Sequence, residues 1–98
     1  MWTREDALLL YKALLSPVAE HHGFSAALYG SVLLGDEAND LDLFVVPQRQ
    51  DANVAAFLET LRRHMRQVGE PLAGDWNRDV VTAFTTDGKR LDIQFTRL

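Results

Sequence analysis

The amino-acid sequence predicts an α/β (α+β) fold in which a small mixed β-sheet is covered by helices, and three observations carry that expectation. Two long stretches repeat apolar residues at spacings of three and four, as amphipathic helices do. Several shorter stretches alternate apolar and polar residues, as half-buried strands do, and an Asp-Gly pair separates the last two of them. Helical and strand patterns interleave along the chain, so the helices must pack on a sheet rather than on one another. The 98 residues contain no repeat, no low-complexity tract and no linker-like stretch, and a single domain over residues 1–98 is expected.

The first helix is expected from Thr3 to about His22, where Ala7, Leu8, Tyr11, Leu14, Leu15 and Val18 fall on one face. Thr3 is its cap, Glu5 and Asp6 suit the positive end of its dipole, Pro17 should kink or restart it near Ser16, and Gly23 ends it. "FSAALY" reads as a short strand that runs through Gly30 and Ser31 into a brief apolar turn. "DLDLFVV" is a second strand, stopped by Pro47. A second long helix is expected from about Asp51 to Val68, with Val54, Phe57, Leu58, Leu61, Met65 and Val68 on its buried face and Arg62, Arg63 and Arg66 largely off it. "PLAGDWN" is turn-like, and "DVVTAFT" and "RLDIQFT" form a hairpin around "TDGK".

Composition narrows the function classes. The absence of cysteine removes thiolate catalysis, Cys-based zinc sites and disulfides, and it permits a reducing cytosol. The N-terminus "MWTREDALLLYKALL" is neither a signal peptide nor a membrane span, so a cytoplasmic protein without a membrane partner is expected. Ten Lys and Arg against fourteen Asp and Glu give a net charge of −4, which argues against an extensive sequence-independent grip on nucleic-acid backbone. Arg62, Arg63 and Arg66 read as a solvated face, His21 and His22 as residues suited to a helix C-terminus, and Trp76 as packing, with stacking on a nucleobase its alternative.

The strand "DLDLFVV" poses the chemical question, because an ionised carboxylate in an oily run is costly unless it faces outward or meets a cation. Strand alternation places Asp40 and Asp42 on one face, their roots about 6 to 7 Å apart, with Leu41, Leu43 and Val45 on the other. The last strand repeats the design: Leu91, Ile93 and Phe95 make an apolar face opposite Arg90, Asp92 and Gln94. If the two strands are neighbours, three carboxylates converge and repel, and cations must neutralise them. Oxygen-only donors favour Mg²⁺ or Mn²⁺ over zinc. Gly30 allows a phosphate to approach the backbone and Ser31 adds a hydroxyl at a helix start, so the turn is a candidate phosphate seat. Calcium binding by "DEANDLD" is set aside, because the EF-hand pattern wants Gly sixth and Glu twelfth, where this chain has Leu41 and Pro47.

"LYGS", then eight residues, then "DLDL", with a later strand carboxylate in "RLDIQF", resembles the DNA polymerase β-like nucleotidyltransferase superfamily, and most of all its minimal stand-alone members of bacteria and phages. The resemblance covers nearly the whole chain and implies a nucleotidyltransferase that moves a nucleoside monophosphate from a nucleoside triphosphate to a hydroxyl of RNA, protein or a small molecule. It implies that Asp40 and Asp42 hold two Mg²⁺ ions, with Mn²⁺ able to replace them, that Asp92 joins at the metal that activates the acceptor, and that Gly30 and Ser31 grip the triphosphate. Two features depart from the superfamily pattern. The spacer from Ser31 to Asp40 is short, and Val32, Leu33 and Leu34 stand where many minimal members carry Arg, leaving Lys89, Arg90 or Arg78 to supply that cation. The sequence stops soon after its last strand, so acceptor choice, a tRNA among the candidates, is expected to come from the core's own surface or a partner. The alternative readings are an antitoxin-like or other partner-binding module on the same core, and a degenerate core that binds nucleotide without turning it over.

Overall fold

Strict alternation in the two longest apolar runs builds the centre of the molecule. The computed structural model describes residues 1–97, and in it β2 (Asp40–Pro47) and β6 (Arg90–Thr96) lie side by side and parallel. β1 (Phe24–Tyr29) pairs antiparallel with the outer edge of β2, and β5 (Arg78–Phe84) pairs antiparallel with β6 across the expected hairpin. Two short strands, β3 (Gln67–Val68) and β4 (Leu72–Ala73), share the far edge of β5, so the order is β1-β2-β6-β5-β3 with β4 also on β5. The mixed sheet and helical cover agree with the expected fold class.

One face of the sheet is apolar and entirely covered. Leu41, Leu43, Val45, Leu91, Ile93, Val81 and Ala83 are fully buried there. The cover is a helical run made of α1 (Arg4–Leu10), a π-helical turn (Tyr11–Leu15) and α2 (Ser16–His21), together with α3 (Val54–Arg62). Phe57 of α3 meets Phe24 and Phe95 edge-on, with ring centroids 5.6 and 5.5 Å apart, an arrangement favoured by the aromatic quadrupole. Trp2 is also buried: it bridges to Ala38 and donates its indole N–H to the Arg90 carbonyl at 2.6 Å, tying the N-terminus to the start of β6.

Three expectations need correction, and those for the end of the first helix hold. Pro17 restarts the helix where expected: α2 begins at Ser16 with the proline in its first turn, and the missing proline N–H is absorbed by the π turn just before it, where the Ser16 N–H donates to the Tyr11 carbonyl. The second helix ends at Arg62, not Val68: the chain tightens through Arg63 and His64, and residues 67–68 become an edge strand. That edge offers a row of unpaired backbone groups on β5, and the Arg66 N–H reaches the Phe84 carbonyl at 2.9 Å. The expected turn at "PLAGDWN" contains β4 before it turns, and Trp76, expected to pack, is 87 % exposed. His21 and His22 do end the first helix, in its last turn and at its C-cap; burial, with His21 beside it, pushes the His22 imidazole pKa down, and its Nε2 meets the Thr60 hydroxyl at 2.8 Å.

No helix among the described residues is long and apolar enough to cross a membrane.

Candidate active site

Among the described residues no helix covers the opposite face of the sheet, and Gly30, Ser31, Asp40, Asp42 and Asp92 lie on that face or at its rim. The parallel register sets Asp42 directly beside Asp92 and Asp40 directly beside Arg90. Tyr29 is the partner of Asp42 on the other side, so the chain leaves β1 and enters Gly30 and Ser31 at the carboxylates. The expected neighbours therefore meet: the hairpin strand pairs with the Asp40 strand, and the glycine-serine turn borders the same two residues.

Gly30 adopts φ +116°, which a side-chain-bearing residue rarely does, and a Cβ placed on it would stand 3.7 Å from Asp42 Oδ2. Backbone and carboxylate are thus nearly in contact. Ser31 opens a 3₁₀ turn (Ser31–Leu34) whose Val32 plugs the core, and Ser31 itself is exposed. Of the apolar residues in this turn, Val32 serves the packing, since it is 1 % exposed and anchors the turn, whereas Leu34 is left in solvent.

The carboxylates differ in their surroundings. Asp92 is largely enclosed, and its Oδ1 accepts from the Thr82 hydroxyl at 3.1 Å and from Arg90 Nε at 3.2 Å. Asp40 is half exposed, with Arg90 Nε 3.9 Å from its Oδ1. Asp42 has its carboxyl pushed above the ordinary carboxylate value, first by burial and then by the negative charges of Asp92 and Asp40, with Arg90 only partly offsetting them. The Arg90 guanidinium is in turn held protonated, first by its hydrogen bond to Asp92 and also by the charges of Asp40 and Asp42.

As the side chains stand, no three His, Cys, Asp or Glu residues among the described residues are gathered closely enough to hold one ion. The donor set nevertheless suits a hard divalent cation. It is made of carboxylate oxygens alone, and the charge repulsion that raises Asp42 is what such a cation relieves. Asp42 and Asp92 are the core of that set, and Asp40 extends it along β2.

The cations expected to serve the phosphate seat are placed apart. Lys89 points to the helix-covered side, where its Nζ meets Asp6 Oδ2 at 2.7 Å and Asp87 Oδ2 at 3.4 Å and lies over the Trp2 ring. Arg78 lies over the Phe44 ring, 4.8 Å from its centroid, and donates to Gln94 Oε1 at 3.1 Å. Arg90 alone of the three stands among the carboxylates. Arg62 pairs with Glu59 and Glu70, in keeping with a solvated face. Sequence reasoning missed the row formed by Tyr29, Phe44 and Arg78, in which Tyr29 and Phe44 meet edge-on at 5.2 Å one step along the strands from Asp42. Its signal was present in the alternation that put Asp42 and Phe44 on one face.

No family model matches the chain, and no curated protein matches it. Solved structures do. A CCA-adding enzyme in its apo form superposes with a TM-score of 0.64 at 24% identity, over 96% of this chain and 21% of that one. A CCA-adding enzyme in complex with CTP gives 0.63 at 25% identity, over 93% and 21% of the two chains. A cytoplasmic RNA terminal U-transferase gives 0.62 at 19% identity, over 93% and 29%. These neighbours are nucleotidyltransferases of the polymerase β-like superfamily, and the likeness at such identity is one of fold. The chain spans about a fifth of the length of the CCA-adding enzymes.

Proposed function

We propose that this chain is a metal-dependent nucleotidyltransferase that moves a nucleoside monophosphate from a nucleoside triphosphate to a hydroxyl acceptor. The observation that carries the reading is the register of the parallel pair: Asp42 and Asp92 face each other, and the Gly30 backbone stands against Asp42. Fold neighbours that act on RNA termini or are complexed with CTP support the same class.

In this reading the residues divide the work by position. Gly30 and Ser31 receive the phosphates, with a backbone open enough for close approach and a hydroxyl that donates to an anion. Asp40, Asp42 and Asp92 would hold Mg²⁺, or Mn²⁺ in its place; the bound ions supply charge neutralisation at the α-phosphate and lower the cost of deprotonating the attacking hydroxyl. Thr82 fixes the Asp92 carboxylate through its 3.1 Å hydrogen bond, on the side of Asp42 away from Gly30. The acceptor hydroxyl then enters from the β6–β5 side, opposite the phosphate seat, as in-line displacement requires. The open face, with Tyr29, Phe44 and Arg78, is the surface on which the substrates lie.

The test is direct. Protein incubated with Mg²⁺, each of the four α-labelled ribonucleoside triphosphates in turn and a pool of short RNAs, proteins and small polyols should transfer label and release pyrophosphate with at least one nucleotide. Absence of transfer and of pyrophosphate release with all four would count against the enzymatic reading and leave a partner-binding module on this core.

A further inference from the structure

The turn after Ser31 lacks a basic residue, yet an arginine lies among the carboxylates where a metal would go. Arg90 faces Asp40 across the parallel pair and precedes Asp92 by two residues on the same face. Its Nε stands 3.2 Å from Asp92 Oδ1 and 3.9 Å from Asp40 Oδ1. In the metal-free protein this guanidinium offsets part of the negative charge of the site.

Two properties make the contact one that is exchanged rather than kept. The Arg90 side chain is 47% exposed, and ion pairs at that exposure are weakly held. A divalent cation on the same carboxylates repels the guanidinium and takes the oxygens it was using. Phosphate is the natural alternative partner, because the planar fork of an arginine matches two phosphate oxygens. The candidate phosphate seat is close: β1 and β6 flank β2, so the turn that follows Tyr29 and the side chain of Arg90 approach Asp40 from opposite sides. Lys89 is engaged with Asp6 and Asp87, and Arg78 with Phe44 and Gln94.

We propose that Arg90 is a displaceable internal counter-ion, which holds Asp40 and Asp92 while no metal is bound and turns to the polyphosphate when metal arrives. It thereby supplies the cation that the Val32-Leu33-Leu34 turn does not. The inference rests on the nucleotidyltransferase reading for its ligands, and it makes Arg90 a competitor of the metal and a partner of the phosphate.

These two roles predict opposite changes in two binding constants. Mn²⁺ binding without nucleotide, read by electron paramagnetic resonance of the free ion, should be about fivefold tighter in Arg90→Gln than in the wild type. Binding of inorganic tripolyphosphate in the presence of Mg²⁺, read by calorimetry, should be about tenfold weaker in the same variant. Arg90→Lys keeps the charge and should restore most of both, whereas Arg63→Gln, which removes the same charge from the end of α3, should change neither. If Asp42-dependent Mn²⁺ binding exists but Arg90→Gln leaves it unchanged or weakens it, the counter-ion role is wrong while the site stands. If neither the wild type nor Arg90→Gln binds Mn²⁺ in a way that Asp42→Asn removes, the carboxylate reading falls, and this inference with it.

Discussion

Asp42→Asn is expected to lower nucleotidyl transfer at least about a thousandfold and, in the same protein, to raise the melting temperature of the metal-free state. The two effects share one cause. Asp42 is wedged between Asp92 and Asp40 and partly buried, so its negative charge is held at a cost that only a bound cation relieves. Asparagine keeps the shape and removes both the ligand and the repulsion.

The stability effect has a defined pH dependence. Because burial and the neighbouring carboxylates raise the Asp42 pKa above its ordinary value of 3.8, the folded protein prefers the protonated form. Well below 3.8 the group is protonated in folded and unfolded chains alike, and variant and wild type should melt together. As pH rises through the window from 3.8 to the raised folded value, the wild type ionises at a cost and falls behind. Above that window the gap is constant and in favour of Asp42→Asn. Thermal melting of both proteins in chelator from acid to neutral pH reads the whole curve, and a variant less stable than wild type at neutral pH would refute the repulsion argument.

The second large effect is structural. Trp2→Ala should cost about 3 to 5 kcal/mol, a large fraction of the roughly 5 to 15 kcal/mol that holds a domain together. Trp2 is 2% exposed, packs under the carboxylate end of the sheet and caps the Arg90 carbonyl through its indole N–H. Its removal opens a cavity and leaves that carbonyl without its donor. Trp2→Phe helps to separate the two contributions, since it keeps much of the packing and loses the hydrogen bond, and should cost less, about 1 to 2 kcal/mol. Urea unfolding of the three proteins decides it: equal stability of Trp2→Ala and wild type would mean that the N-terminal residues do not brace β6.

Much of this was legible in the sequence because alternation is a local signal. The faces of β2 and β6 follow from the order of Asp, Leu, Phe and Val, and the Asp-Gly pair announces the hairpin. The glycine-serine turn was legible too, since only glycine takes φ +116° without strain. What the sequence did not carry is register and reach. That Asp42 stands beside Asp92, rather than beside Arg90, depends on how two strands 50 residues apart slide against each other, and no local pattern states it. Trp2 meets the Arg90 carbonyl from 88 residues away, so its role is invisible at the N-terminus. The end of α3 escapes the sequence for a different reason. Met65 and Val68 fit the helical spacing from Leu61, but the open edge of β5 competes for the same backbone and wins it for a strand. Arg90 reads as an ordinary polar partner of Asp92 in the alternation; its place between two carboxylates emerges only when β6 is laid against β2.

The central claim, that these aspartates and the adjoining turn bind metal and triphosphate together, is tested most directly by thermal melting with Mg²⁺ and each of ATP, GTP, CTP and UTP, on wild type and Asp42→Asn side by side. A ligand that binds the folded state raises its melting temperature by mass action. The expected result is a rise with at least one nucleotide that requires Mg²⁺ and disappears in Asp42→Asn. No rise with any nucleotide, or the same rise in both proteins, would contradict the claim.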